Sequence, residues 1–300
     1  MTTQLISGVF PPMITPFKGN GDLDLDAHRY NVEKWNEDEL AGYVILGSNS
    51  ETTLLEPEEK RLLIEMTARY RQKDRWLIAG TGMESTRATI QMTTLAASLD
   101  VDAALVITPS FYPGQLNEEV LRAHFLRVAD AAPIPIILYN VPKFTNVNMP
   151  VELVVELARH QNIIGIKDSS GNIGQMARLK SLLGERFNIL AGTASVWFPA
   201  LTLGVSGGIM ALANCLPNEC SLIRQLYEQG AHAENARDWY NRILPVNEAV
   251  TAKFGVAGLK YACEVAGYKA GLPRLPYQPL TPEQKTYIDK LFKAINLFKQ

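Results

Sequence analysis

The sequence predicts an α/β protein, specifically a (β/α)8 (TIM) barrel with a C-terminal helical extension. Three observations predict this fold: eight short apolar runs recur along the chain, most of them are continuous rather than alternating, and amphipathic segments separate most of them. Continuous apolar runs are typical of parallel strands buried on both faces, and alternation with helices is typical of a parallel sheet. An open doubly wound sheet is the alternative, and it usually contains fewer strands.

We expect one strand at each apolar run. The runs are Val9–Thr15, Gly42–Gly47, Trp76–Gly80, Ala103–Thr108, Ile134–Tyr139, Ile163–Lys167, Ile189–Ala191 and Gly208–Leu212. Amphipathic segments of helical length are Asp26–Leu40, Glu56–Arg71, Ser85–Leu99, Asn117–Ala131, Val151–His160 and Gly174–Leu183. The segment from Glu56 places Pro57 and two glutamates in its first turn, which suits a helix start because proline loses no hydrogen bond there and acids complement the dipole.

No strand is predicted after Asn214. Four helices are expected in that part, at Pro217–Gln229, Ala233–Val250, Val256–Gly267 and Thr281–Leu297. The last begins with Thr-Pro-Glu-Gln, which combines an N-cap, proline at the first helical position and a capping-box glutamine. No linker rich in glycine, serine or proline interrupts the chain. We therefore predict a catalytic barrel over residues 1–230 and a helical extension, packed on it, over residues 231–300.

Charge and cysteine content exclude several classes of protein. The 29 basic and 31 acidic residues give a net charge of −2, so neither nucleic acid nor an anionic membrane is an expected partner. Three cysteines, an odd number without metal-ligand spacing, do not suggest a disulfide scaffold. Such a low content is typical of a protein in a reducing compartment. No apolar run is long enough to span a membrane, and Met1–Gly8 lacks the features of a signal peptide, so we expect a cytoplasmic protein.

Common cofactor and nucleophile motifs are missing from the sequence. The four histidines show no metal-ligand spacing, the Gly80-Thr81-Gly82 segment lacks the third glycine of a dinucleotide fingerprint, and neither a Walker loop nor a G-x-S-x-G elbow occurs. We therefore expect no metal and no cofactor. This elimination favours catalysis by an amine.

Lys167 and Tyr139 are the candidate catalytic residues. In a (β/α)8 barrel the working residues lie at the C-terminal ends of strands, and Lys167 ends the run that begins at Ile163. Burial disfavours the charged form of an amine, and the neutral form is a nucleophile for carbonyl carbon. Tyr139 ends the preceding strand, and its phenol can relay the protons that imine formation requires. The alternative for both is a side chain that extends from the barrel rim to water.

Ser48 and Asn49 form a candidate binding site for a carboxylate. They follow Gly47 in a turn between a predicted strand and a predicted helix. Exposed backbone N–H groups together with two short polar side chains can hold a carboxylate. An ordinary polar loop is the alternative, because such loops occur in every barrel.

Three motifs, taken together, resemble the dihydrodipicolinate synthase / N-acetylneuraminate lyase family. They are Gly47-Ser48-Asn49-x-Glu51, Tyr139-Asn140-Val141-Pro142 and Gly165-Ile166-Lys167-Asp168, in this order, and the similarity runs from about Gly8 to beyond Pro279. The resemblance implies a (β/α)8 barrel with a C-terminal helical domain, usually assembled as a homotetramer from two dimers. It also implies a Schiff base between a barrel lysine and a 2-oxo acid, commonly pyruvate.

The resemblance assigns roles to individual residues. Lys167 matches the imine lysine, and Tyr139 matches the tyrosine that relays protons. Ser48 and Asn49 match the residues that hold the pyruvate carboxylate, and Ser48 also joins the proton relay. Ile209 matches the residue of strand 8 whose backbone carbonyl faces the imine.

This chain departs from the family pattern at two positions. Phe111 stands where members generally have a tyrosine that is lent across the dimer interface, and Tyr112 follows it. Ser50 replaces the glycine that usually precedes Glu51. We expect the first change to affect the proton relay and the second to alter the turn.

The sequence gives a mixed indication of the substrate. Phe144 occupies the position of an arginine that clamps the aldehyde's carboxylate in dihydrodipicolinate synthases, and Ala194-Ser195 replaces the acidic pair of neuraminate lyases. Several segments look more like 4-hydroxy-2-oxoglutarate aldolases, in which the serine matching Ser169 contacts the distal part of the substrate. They include residues 190–194, 211–214 and 249–260.

We therefore expect a class I, metal-independent aldolase that cleaves or forms a 4-hydroxy-2-oxo acid, such as 4-hydroxy-2-oxoglutarate, from pyruvate and an aldehyde. The first alternative is the condensation of pyruvate with aspartate semialdehyde, as in dihydrodipicolinate synthases. The second is a barrel that binds a 2-oxo acid without catalysis, an alternative that the change at Phe111 leaves open.

Overall fold

The computed structural model describes residues 5–230 and 233–296. Within these residues the strands are β1 (Gly8–Phe10), β2 (Gly42–Ile45), β3 (Trp76–Gly80), β4 (Ala103–Ile107), β5 (Ile136–Asn140), β6 (Ile163–Asp168), β7 (Asn188–Ala191) and β8 (Gly207–Ile209). The α-helices of the same residues are α1 (Leu25–Trp35), α2 (Pro57–Tyr70), α3 (Thr86–Ser98), α4 (Glu118–Ala131), α5 (Pro142–Thr145), α6 (Val151–Leu157), α7 (Ile173–Leu183), α8 (Trp197–Thr202), α9 (Pro217–Glu228), α10 (Ala233–Glu248), α11 (Gly255–Val265) and α12 (Pro282–Asn296).

The described residues group into two compact units. The first consists of Trp76–Ile209 with the segment before Val9, and the second consists of Val9–Arg75 with the segment from Met210 onward. In the first unit β3 to β8 are parallel neighbours in chain order. In the second, the Ala41 N–H donates to the Val9 carbonyl at 3.0 Å, beside β2.

The order of the strands identifies the fold class. It is β1-β8-β7-β6-β5-β4-β3-β2, and helices alternate with the strands along the chain. Every residue of β2 and β5 is buried, as expected of parallel strands covered on both faces. This topology confirms the predicted (β/α)8 barrel with a C-terminal helical part.

Two predicted strands are too long. β1 ends at Phe10 because the two prolines that follow carry no N–H to donate to a ladder. β8 ends at Ile209 because the chain turns into a 3-10 helix over Ala211–Asn214. Helices α5 and α8 are short, and the sequence pattern did not predict them.

The C-terminal helices begin close to their predicted positions. The Thr281 N–H donates to Gln284 Oε1 at 2.9 Å and the Gln284 N–H donates to Thr281 Oγ1 at 3.4 Å, which confirms the predicted capping box. A π-helix over Ala249–Lys253 follows α10. Leu297, the predicted last residue of α12, lies outside the described residues. The division at residue 230 stays a prediction. In the part of the chain that the structure describes, no helix is both long and apolar enough to cross a membrane.

Gly165 provides a test of the packing of β6. A Cβ atom at this position would lie 2.6 Å from the Asn188 carbonyl oxygen and 2.8 Å from Asn188 Cβ. We expect Gly165→Ala to lower the free energy of unfolding by about 1–3 kcal/mol, since β6 and β7 would have to separate. Gly114→Ala is the matched control because nothing lies within 4 Å of its Cβ position. Equal urea midpoints for the two variants would contradict this prediction.

Candidate active site

Lys167 and Tyr139 lie side by side at the ends of neighbouring strands. They are register partners on β6 and β5, and Lys167 Nζ lies 4.2 Å from the centroid of the Tyr139 ring. Lys167 is 2% exposed and Tyr139 is 5% exposed. The structure therefore brings together a buried amine, which can form an imine with a carbonyl compound, and a buried phenol, which can transfer protons.

A polar clamp holds these strand ends from the opposite face, because successive residues of a strand point to opposite sides. Asn140 Nδ2 donates to Asp168 Oδ1 at 3.3 Å and to Asn148 Oδ1 at 2.9 Å. The Ser170 N–H donates to the same Asp168 oxygen at 2.8 Å, and Asn140 Oδ1 accepts from the Met149 N–H at 3.0 Å. Asn140 and Asp168 directly follow Tyr139 and Lys167, so the clamp fixes the register of these two residues.

The sequence motifs predicted no role for this clamp. The sequence feature that could have indicated it is that Asn140 and Asp168 each directly follow a candidate catalytic residue at the end of an apolar run. Buried polar side chains in such positions need partners, because an unpaired buried polar group costs free energy. That requirement could have identified Asn140 and Asp168 as a pair.

Asp168 gives the clamp a predictable pH dependence. Burial raises the pKa of Asp168, opposed by its hydrogen bonds from Ser170 and Asn140. A carboxyl group with a raised pKa in the folded state binds its proton more tightly there, so its contribution to stability declines as the pH rises from the ordinary aspartate range through the raised value. Asp168→Asn stays neutral, and we expect its stability relative to wild type to increase between pH 4 and pH 7 in urea unfolding. A relative stability that falls over this range would contradict the argument.

Ser169 and Ile209 lie in the same unit as Lys167. Ser169 follows the end of β6, where its N–H donates to the Asn140 carbonyl at 2.8 Å and its Oγ donates to the Gly192 carbonyl at 3.2 Å. A Cβ at Gly192 would come within 2.0 Å of Ser169 Oγ, so only glycine permits this approach. Ile209 is the last residue of β8 and is fully buried.

Ser48 and Asn49 belong to the other unit. They lie, half-buried, in a 3-10 helix over Ser48–Ser50 that follows β2. Ser50 anchors this turn: its Oγ donates to the Met13 carbonyl at 2.5 Å, and its own carbonyl accepts from Thr15 Oγ1 at 2.7 Å. The serine that replaces the family's glycine therefore ties the turn to the segment after β1.

Three aromatic side chains near strand ends are exposed. Phe111 and Tyr112 are 74% and 65% exposed, and their rings meet edge to face at 4.9 Å. The Glu84 carboxylate fixes this loop, because it accepts from the N–H groups of both Ser110 and Phe111 at 3.0 Å. Phe144, on α5, is 60% exposed. The motif resemblance expects a tyrosine at position 111 and, for dihydrodipicolinate synthases, an arginine at position 144.

The described residues contain no group of three histidine, cysteine, aspartate or glutamate side chains placed to hold a metal ion.

Comparisons with known proteins agree on one family. The model of the dihydrodipicolinate synthetase family matches residues 5–295. A protein of Methanothrix thermoacetophila named 4-hydroxy-tetrahydrodipicolinate synthase is 35% identical over 295 residues, which is 98% of each chain. One of the same name from Exiguobacterium sp. is 33% identical over 296 residues, which is 99% of each chain. The crystal structure of dihydrodipicolinate synthase from Aquifex aeolicus has a TM-score of 0.91 and 28% identity, and the match covers 97% of this chain and 99% of that one.

The family match spans nearly the whole chain, and Lys167 lies beside Tyr139 in a buried site. The chain therefore belongs to the dihydrodipicolinate synthetase family, and it is an enzyme of the pyruvate-dependent, Schiff-base aldolase and lyase class.

Proposed function

We propose that this enzyme condenses pyruvate with aspartate semialdehyde to form 4-hydroxy-tetrahydrodipicolinate. The observation that carries the chemistry is the buried pair of Lys167 Nζ and the Tyr139 ring, 4.2 Å apart. The choice of acceptor is supported by relatives that carry this product's name over 98–99% of their length. They support this alternative better than the cleavage of 4-hydroxy-2-oxoglutarate, which the sequence alone favoured.

The proposed reaction begins at Lys167. Its amine attacks C2 of pyruvate, and water leaves once the carbinolamine oxygen has been protonated. Loss of a C3 proton from the iminium gives an enamine, whose C3 attacks the aldehyde carbon of the second substrate. The amino group of that substrate then displaces Lys167 from C2 and closes the ring. Tyr139 moves the protons, because the phenol is the acid–base group beside the amine.

The remaining residues have proposed roles in binding. Ser48 and Asn49 hold the pyruvate carboxylate with side chains and turn N–H groups, and Ser48 joins the proton relay. The Ile209 carbonyl faces the imine, and Ser169 contacts the distal part of the substrate. These roles follow from the matched motifs and from the position of each residue at the C-terminal end of a strand or directly after it.

One observation favours a second candidate function. Phe144 is an exposed apolar side chain at the position where the resemblance expects an arginine, and a phenyl ring cannot replace the paired hydrogen bonds that an arginine makes to a carboxylate. The second candidate is therefore retro-aldol cleavage of a 4-hydroxy-2-oxo acid, in which an aldehyde leaves first and hydrolysis of the imine then releases pyruvate.

Two parallel assays separate the candidates. In the first, pyruvate and aspartate semialdehyde are supplied and the product is followed with a coupled dihydrodipicolinate reductase. In the second, release of pyruvate from 4-hydroxy-2-oxoglutarate is measured. The proposal requires a higher kcat/KM in the first assay, and a higher value in the second would overturn it in favour of cleavage. Phe144→Arg, which restores the carboxylate clamp, is expected to raise kcat/KM for aspartate semialdehyde.

We further propose a cytoplasmic homotetramer, built as a dimer of dimers. The exposed aromatic pair Phe111–Tyr112 supports an interface at that loop, since large apolar side chains gathered at a surface commonly mark one. The low cysteine content, three residues without metal-ligand spacing, supports a reducing compartment. Sedimentation analysis tests the assembly: a tetramer is expected, and a monomer at micromolar concentration would contradict it.

A further inference from the structure

The turn that carries Ser48 and Asn49 is conformationally strained at both ends. Leu46, before it, has φ of 59°, and Glu51, after it, has φ of 54°. Residues other than glycine rarely adopt this left-handed conformation, and it persists only where the surrounding structure enforces it. The turn therefore needs contacts that hold it in place.

The Glu51 side chain provides such a contact. Glu51 is 3% exposed, and Lys260 Nζ lies 2.7 Å from its Oε1 in an ion pair whose side chains are both 1% exposed. Its Oε2 accepts from the Arg274 N–H at 2.8 Å. Both oxygens are thus held by residues from the C-terminal part of the chain.

Lys260 is itself fixed on several sides. Its Nζ donates to the Leu272 carbonyl at 2.8 Å and lies 4.3 Å from the centroid of the Phe17 ring. Burial lowers the pKa of Lys260, and the Glu51 carboxylate opposes this shift. The ammonium group has three donors, and these contacts leave it little freedom to move.

The second holder of Glu51 is equally constrained. The Arg274 guanidinium contacts both oxygens of Glu59 at 2.6 Å, donates to the Gly21 carbonyl at 2.7 Å and lies 4.2 Å from the centroid of the Phe17 ring. The N–H that binds Glu51 therefore belongs to a residue whose side chain is anchored at several points.

Stability alone does not account for an ion pair buried this deeply. Removing two charges from water is costly, and apolar residues of similar size often stabilise a protein as well or better. In this chain the pair fixes one geometry, because Lys260 also donates to the Leu272 carbonyl and Glu51 also accepts from the Arg274 N–H. Lys260 is also the last residue of the segment over residues 249–260, one of those that resemble 4-hydroxy-2-oxoglutarate aldolases. The ion pair therefore connects that segment to the turn.

We propose that Glu51 is a positioning residue: its ion pair with Lys260 sets the strained turn that presents Ser48 and Asn49 to the carboxylate of the 2-oxo acid. This inference rests on the proposed function, which assigns that carboxylate to these two residues. Breaking the pair weakens binding of the 2-oxo acid, and the amine of Lys167 still forms the imine at saturating pyruvate.

The test measures how borohydride trapping of pyruvate on Lys167 depends on pyruvate concentration. For Lys260→Met and for Glu51→Gln, we expect the half-saturating concentration to rise about tenfold, with the adduct yield at saturation nearly unchanged. The double variant is expected to match the single variants, because both substitutions break the same contact. If the double shift equals the product of the single shifts, the two residues act independently and the inference is overturned.

Tyr268→Phe is the matched control. It removes a hydrogen bond to Asp38 at 2.7 Å in the same unit, and we expect reduced stability with an unchanged half-saturating concentration. A folded Lys260→Met or Glu51→Gln variant that saturates as wild type does would overturn the inference. The inference would also be overturned if the half-saturating concentration of Tyr268→Phe rose as far as that of the two variants, because the effect would then reflect a general loss of stability. If Lys260→Met does not fold, the neutral isostere Glu51→Gln carries the test. Absence of any adduct on wild type would instead refute the proposed function.

Discussion

Lys167→Met is expected to abolish pyruvate trapping by borohydride and to lower turnover by about 10⁴-fold or more. Methionine keeps the length and apolar character of the stem, so the buried site at the end of β6 stays filled, but it carries no amine. Without the amine neither the iminium nor the enamine can form. The measurements are steady-state turnover with the better acceptor and the intact mass after reduction.

The control for this substitution is Lys180→Met. Lys180 lies on α7 and pairs with Glu185 at 2.8 Å, away from the strand ends. We expect it to retain both trapping and turnover. If Lys167→Met still acquired a reduced pyruvyl group, another lysine would be the nucleophile and the assignment would be wrong. Unchanged turnover of Lys167→Met would show that catalysis does not pass through an imine at Lys167.

Tyr139→Phe is expected to lower turnover by about 10²–10³-fold, the range typical of a lost general acid–base group. The substitution removes one hydroxyl group and retains the ring beside Lys167 Nζ, so packing at the pair is preserved. The imine of this variant still forms to the same extent as in wild type, but more slowly. The expected signature is therefore slow trapping that reaches the wild-type yield.

Tyr43→Phe controls for the loss of a buried tyrosine hydroxyl. Tyr43 lies in β2, and its hydroxyl donates to Asn36 Oδ1 at 2.5 Å. We expect a modest loss of stability, about 1 kcal/mol, with normal trapping kinetics. Should Tyr139→Phe trap pyruvate at the wild-type rate, the phenol would not be the proton relay.

The barrel could be predicted because its signal is local. Parallel strands covered on both faces need continuous apolar runs, and each run in the sequence marks a strand of the structure. Because the strands of such a barrel follow one another in chain order, consecutive apolar runs become neighbours in the sheet. The sequence alone could therefore predict that Tyr139 and Lys167 lie side by side. Strand ends were less predictable: β1 stops at two prolines, and β8 stops where the chain bends into a 3-10 helix.

The residues that support the site could not be predicted in the same way. The Asn140–Asp168 clamp joins neighbouring strands, so strand order together with burial could have suggested it. The contact of Glu51 with Arg274 spans 223 residues, and the Glu51–Lys260 pair joins equally distant parts of the chain. No periodicity or local motif encodes such long-range pairs. They depend on how helices and loops return to the end of β2.

One measurement tests the central claim most directly. The purified wild-type enzyme is incubated with pyruvate, reduced with borohydride, and analysed by intact and peptide mass spectrometry. A Schiff-base mechanism at Lys167 predicts one reduced pyruvyl group per chain, located on the peptide that contains Lys167. An unmodified chain, or an adduct on any other lysine, would contradict it.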